Sequence, residues 1–352
     1  MTDLTHHTKL KQLARNLHIP DSGDCLRELR EHAIASVRQM LKDWSVETIA
    51  ELRSLVADKL SVKIEFIHED QDTERLADKY GQVMGGFRQL LRAEFIKSDT
   101  EGLLIDNPKP GKGGRDYLVI VDARGSRKIR AYFTAWHELA HLLLYPRRQA
   151  VLEGFRRTPT PEAKLKDPVE SAVDHIAGLL AFWEPLFKPA LLNTASGDLS
   201  LEAVELACAQ VAPGASLQAA CLAAVRMWEG PVVFVTAAVS RKRDGSSPSL
   251  RVQNIVANDA AREIGCEVRR QMRIPPGSAI SNAFGDIFGK RHCGLENQAD
   301  WEVSGHGSLT ALDWQVEAVR RGPLVYVLLT NMALRSAFTG AKRQEQTVTF
   351  RL

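Results

Sequence analysis

His137, Glu138 and His141 are the residues of this chain whose types and spacing most directly offer chemistry. On a helix, side chains four apart share a face, so both imidazoles can grip one divalent ion. Zinc held by such nitrogens brings the pKa of a bound water to about 7. Glu138 then stands where a carboxylate can take that water's proton while an amide carbonyl is attacked. The spacing therefore offers metal-assisted hydrolysis of a peptide bond, with zinc the expected metal and manganese its alternative. The flanks favour a helix. Thr134 is a suitable N-cap, Ala135, Leu139, Ala140, Leu142, Leu143 and Leu144 propagate well, and Pro146 is a stop signal.

A zinc site needs a third protein ligand. One class of HExxH enzyme supplies it from a Gly and a His further along, but those positions hold Leu144 and Arg147 here. The remaining source is an acid on a following helix, and Glu170 suits it best. Residues 167–185 read as a helix with Asp167 as N-cap, Pro168 at the first turn, and Val169, Val173, Ile176, Ala177 and Leu180 as its buried stripe. Asp174, one turn after Glu170, can accept a hydrogen bond from the outer nitrogen of a ligating histidine. A plainer role for Glu170 is a first-turn carboxylate facing the helix dipole. Glu153 and Glu162, in the connecting stretch, compete for the third position. For the oxyanion, Tyr145 and Tyr132 are candidate helpers beside the metal itself.

Phe133 and Thr134 before His-Glu-Leu-Ala-His, the gap that follows, and then Glu170, Asp174, Ala177, Leu179 and Leu180 resemble the ImmA/IrrE family of zinc metallopeptidases. The likeness is densest over residues 110–190 and thins out to about 330. It follows the IrrE-type order of peptidase, helix-turn-helix-like segment and GAF-like domain. The resemblance implies two His and a downstream Glu on zinc, and the motif Glu as general base. It also implies a helix-turn-helix transcriptional repressor as substrate, whose cleavage releases stress, DNA-damage or phage-defence genes. Two places depart from the pattern. Trp136 replaces a smaller residue, and Ala181, Phe182, Trp183, Glu184 and Pro185 replace a Met-Pro ending; both are expected to alter the pocket wall rather than the metal.

The elements that must position these residues form an α+β chain. With 352 residues, 44% apolar, two or three domains are expected. A net charge of +3 demands no nucleic-acid partner, and no apolar run is long enough to span a membrane. The N-terminus lacks a signal-peptide core, and five cysteines without C-x-x-C spacing suit reduced thiols, so the expected compartment is the cytoplasm. Residues 1–190 read as a minimal zincin-like peptidase domain. It holds a helix over 26–44, a second capped by Ser45, a strand at Val62, Ile64 and Phe66, and a helical stretch over 72–91 weakened by Gly85 and Gly86. Strands over 102–105 and 117–122 follow, split by a Pro/Gly/Lys hairpin or lid. An edge strand beside the metal helix can bind an extended peptide through its backbone, unless that edge is covered. Cys25 has a minor claim as a thiolate latch on the metal.

Residues 191–229 read as a helical module, and 206–227 as helix, Gly turn, helix. With Arg226 as the cation of its second helix, this pair reads as a packing or substrate-docking module rather than a DNA reader. Residues 230–352 read as an α+β sensor domain, with strands over 232–239, 250–257 and 323–330 and helices over 257–265 and 311–321, and the IrrE-type resemblance implies that it is GAF-like. Its sixteen Lys/Arg exceed its eleven Asp/Glu. Clusters at Arg269, Arg270 and Arg273 and at Lys290 and Arg291 make a candidate patch for a single-stranded nucleic acid or small-molecule effector. Competing readings are a non-proteolytic sensor with a silent metal site, and a DNA-binding regulator.

Overall fold

The computed structural model describes residues 2–20, 23–97, 100–108, 115–145, 155–157, 167–195, 197–241, 247–301 and 309–331. It is a mixed α+β chain that divides into two compact units. The first is Met1–Phe187 with Cys208–Ser216, and the second Lys188–Ala207 with Leu217–Leu352. The helical stretch over 191–229 is thus shared between the two.

The first unit opens with α1 (Thr2–Asn16), α2 (Cys25–Met40) and α3 (Ile49–Lys59). Thr48, not Ser45, caps α3: its side chain accepts from Glu51 N, and residues 41–47 stay outside the helix. Strand β1 (Val62–Ile67) leads to α4 (Asp70–Gly81) and α5 (Phe87–Arg92), which part at Gly86, where φ is +86°. After a short π-turn come β2 (Gly102–Asp106), β3 (Tyr117–Asp122) and α6 (Lys128–Leu144), then β4 (Phe155–Arg157) and α7 (Pro168–Ala181). The four strands form one sheet in the order β1-β3-β2-β4, with β3 parallel to β1 and antiparallel to β2.

Strand alternation sorts the sheet's two faces. Leu103, Leu118 and Ile120 pack with Leu76, Tyr80, Phe87 and Leu91 of α4 and α5. Gly102, Leu104, Val119 and Val121 point the other way, where α6 crosses β2 and β3. Strand β3, buried at all six residues, is the central plank. Helices α2 and α7 pack against α6, so the metal-motif helix is enclosed by sheet and helices alike. The HExxH helix starts seven residues earlier than its sequence suggested, with Arg127 rather than Thr134 at the cap position. Thr134 is not its N-cap but a buried mid-helix residue, because the turn after β3 is organised by Asp122 instead. That carboxylate accepts from the Arg124 backbone N at 3.0 Å, from the Arg124 side chain, and from Arg127 Nη1 at 2.5 Å. Pro146 and most of the glycine-rich β2–β3 connection lie outside the described residues.

In the second unit, α8 (Glu184–Thr194) runs in from the first, followed by α9 (Leu201–Val211) and α10 (Leu217–Met227). A five-stranded antiparallel sheet then forms from β5 (Val232–Ser240), β6 (Ser249–Ala257), β7 (Arg291–Asn297), β8 (Asp313–Arg321) and β9 (Leu324–Thr330), ordered β6-β5-β9-β8-β7. Short helices α11 (Asp259–Glu263) and α12 (Ala279–Gly285) lie within it. Residues 311–321, expected as a helix, are strand β8: Trp314, Val316 and Ala318 are buried at period two, and Gln315 between them is exposed. Helix α10 lays Ala220, Cys221, Ala224 and Val225 into the interior beside β5 and β6, consistent with the packing role read for it.

Candidate metal centre

Two helices build the site. Helix α6 presents His137 and His141 on the face that meets α7, and α7 presents Glu170 from its first turn. Asp167 caps α7 by accepting from Val169 N at 2.9 Å, and Pro168 opens the turn, as its sequence signals require. The Tyr132 hydroxyl donates to the Ala181 carbonyl at 2.6 Å and so pins α6 to the far end of α7. Tyr132 and Phe182 rings approach to 6.3 Å, and Phe182 meets Phe187 edge-on at 5.0 Å. The unusual ending of α7 is therefore an aromatic plug beneath the metal helix.

His137 Nε2 and His141 Nε2 stand 3.2 Å apart. Glu170 Oε2 lies 3.2 Å from the first, and its Oε1 lies 3.5 Å from the second. Each contact uses a different Glu170 oxygen, and the three side chains offer ligand atoms that all lie within 4.8 Å of one another, a spacing that can hold one metal ion. The electronics agree. Asp174 Oδ1 sits 2.9 Å from His137 Nδ1, which fixes the proton on that nitrogen and turns the Nε2 lone pair inward. Converging lone pairs and a carboxylate call for a cation at the centre. Among the described residues, this is the cluster of His, Cys, Asp or Glu with metal-ligand spacing. Cys25 is not in it: the thiol is buried at the start of α2. Glu153 and Glu162 lie outside the described residues.

Glu138 occupies the neighbouring face of α6, with no exposed surface. Thr134, one turn earlier, and Glu138 both meet β2 at Gly102. A Cβ at Gly102 would fall 2.5 Å from Glu138 Oε1 and 2.6 Å from the Thr134 methyl, so the strand passes the carboxylate as bare backbone. Sequence reading missed this residue, although a glycine opening an apolar strand is the signal of a close backbone approach. Tyr145 caps the end of α6, its backbone N–H donating to His141 O at 2.8 Å. Burial raises its phenol pKa, and the Asp167 and Glu170 carboxylates add to that, which puts its ring within electrostatic reach of the site. The hydroxyl of Tyr132, in contrast, is committed to Ala181.

Among the described residues, the two basic clusters singled out in the second unit lie apart. Arg269, Arg270 and Arg273 flank β6, with Arg270 Nε donating to Gln253 O at 2.7 Å and Arg273 bridging to Arg251. Lys290 and Arg291 lie at β7, the opposite margin of the sheet. Arg291 is engaged by Glu202 at 2.8 Å, by Glu205, and by Glu317 at 3.6 Å.

No described helix is long and apolar enough to cross a membrane. No family model and no curated protein matches the chain. Among solved structures, it is similar to a Mycobacterium tuberculosis transcriptional regulator, with 9% identity and a TM-score of 0.45 over 88% of this chain and 83% of that one.

Proposed function

We propose that this chain is a cytoplasmic zinc-dependent metalloendopeptidase of the ImmA/IrrE kind, with a GAF-like regulatory region in its second unit. The observation that carries the reading is the cluster of His137, His141 and Glu170, whose ligand atoms all lie within 4.8 Å of one another, with a second carboxylate, Glu138, buried on the same helix as the histidines. When bound, zinc (or manganese in its place) supplies Lewis-acid polarisation of a carbonyl and acidifies water toward neutral pH. The chain's own residues supply the rest. Glu138 accepts the nucleophile's proton and returns it to the departing amine. Asp174 holds His137 in one tautomer and one ring orientation. Gly102 leaves room for the Glu138 carboxylate beside β2. Tyr145 is the better placed of the two tyrosines to donate to a developing oxyanion. A bond-breaking role explains why a carboxylate is buried next to the ligands, since a purely structural site has no use for one.

The substrate we infer is a helix-turn-helix repressor whose cleavage turns on stress, DNA-damage or phage-defence genes, with a small-molecule or single-stranded nucleic acid effector acting through the second unit. Incubating zinc- or manganese-loaded protein with a candidate repressor tests both steps. Cleavage by the native chain and none by Glu138→Ala supports the peptidase. Intact repressor together with salt-sensitive duplex binding would favour a DNA-binding regulator instead.

A further inference from the structure

The edge of β2 beside Glu138 is already taken. On one side β2 pairs with β3 over five residues; on the other, β4 lies antiparallel with Gly102 opposite Arg157, Leu103 opposite Arg156 and Leu104 opposite Phe155. Gly102 is the residue whose backbone touches the Glu138 carboxylate. The backbone of β4 therefore runs one strand spacing, about 4.8 Å, from the point where β2 meets the catalytic side chain. An extended peptide presented to this centre by backbone pairing would need that same lane.

The occupant comes from the chain itself, from the segment that joins the two ligand helices α6 and α7. Among the described residues its pairing with β2 covers three residue pairs, whereas β3 is buried along its whole length. A tethered strand also competes at an effective concentration in the millimolar range, which excludes weakly pairing peptides while leaving the lane open to a strong competitor.

We propose that Phe155–Arg157 is an intramolecular stand-in for substrate: it occupies the peptide lane on β2, and a substrate is admitted only when it yields. This rests on the peptidase reading above and adds to it a substrate class, an extended segment recognised through its main chain, and a form of regulation. Partners or effectors that draw the 155–157 segment off the sheet would activate the enzyme without touching the metal.

The test uses the full chain loaded with zinc and two variants: Arg156→Pro, which removes a backbone N–H from the middle of β4, and the triple replacement F155G/R156S/R157G. Zinc content is measured by atomic absorption. Binding of a short leucine-rich peptide hydroxamate is measured by calorimetry, and amide hydrogen exchange is followed at Gly102, Leu103 and Leu104. The proposal expects unchanged zinc content, faster exchange at those amides, and hydroxamate binding about tenfold tighter or more in both variants. Equal hydroxamate affinity in native and variant proteins, with zinc retained, overturns it and leaves the peptidase reading standing. Loss of zinc in both variants, with the native chain still loaded, marks β4 as scaffold and overturns it as well. A native chain that takes up no zinc removes the peptidase reading, and the proposal falls with it.

Discussion

Glu138 and Asp174 govern different quantities, and substitution separates them. Glu138 is not one of the three clustered ligands, so Glu138→Gln should keep its zinc while hydrolysis falls by about 10²–10⁴-fold. Asp174 reaches the metal only through His137, so Asp174→Asn should weaken zinc affinity by about 10–100-fold, read by competition with a chromophoric chelator. Gly102 has a third signature. Gly102→Ala thrusts a methyl group into the Glu138 carboxylate, and should cost about 1–3 kcal/mol in urea unfolding and depress turnover at unchanged zinc content. If the alanine variant kept both its stability and its rate, the tight contact between strand and carboxylate would have no functional weight. The histidine pair was legible from helix periodicity, and Glu170 and Asp174 from the start signals and spacing of the following helix; the structure brings the four side chains together. Gly102 was not legible, since its importance comes from a strand and a helix that meet only in three dimensions.

Local capping signals located the start of α7 but misplaced those of α3 and α6 at Ser45 and Thr134. Asp167 and Pro168 mark the start of α7 by capping chemistry that needs no tertiary context. The start of α6 was misplaced at Thr134 because its true organiser, Asp122, acts through the side chains of Arg124 and Arg127 rather than through a helix cap. Strand β8 was taken for a helix because 311–321 carries enough Ala, Glu and Arg to mask its alternation. Strand β4 has no periodicity to read at three residues. The Asp122 network also makes a pH prediction. Burial tends to raise the Asp122 pKa, but its bonds to Arg124 and Arg127 hold it below the ordinary value of 3.8. Its stabilisation is therefore complete above the unfolded-state pKa and is lost as pH falls through the lower folded value. Asp122→Asn should cost about 3 kcal/mol at neutral pH, and the gap between variant and native chain should close below about pH 4. A constant gap from pH 7 to pH 3 would show that the ion pairs contribute nothing.

At the scale of the whole molecule, helix and strand patterning set a mixed α+β chain, and the helices and two sheets bear that out. The basic excess of residues 230–352 gave a poorer guide, since charge counting does not register that Arg291 is already held by three glutamates. A metal held by His137, His141 and Glu170, as proposed, would link folding to ion binding. At free zinc about a hundredfold above its dissociation constant, the native chain should gain about 2.7 kcal/mol. Calorimetry should show the melting temperature rise with added zinc and fall with chelator in the native chain, and show neither shift in His141→Ala. The slot in β2 that faces Glu138 bears on folding too. A hairpin paired one residue out of step would deliver Glu101 or Leu103 to a place that has no room even for a methyl group. Docking of α6 would reject the slipped ladder, so the same carboxylate assigned to hydrolysis also acts as a gauge of correct strand pairing while the protein folds.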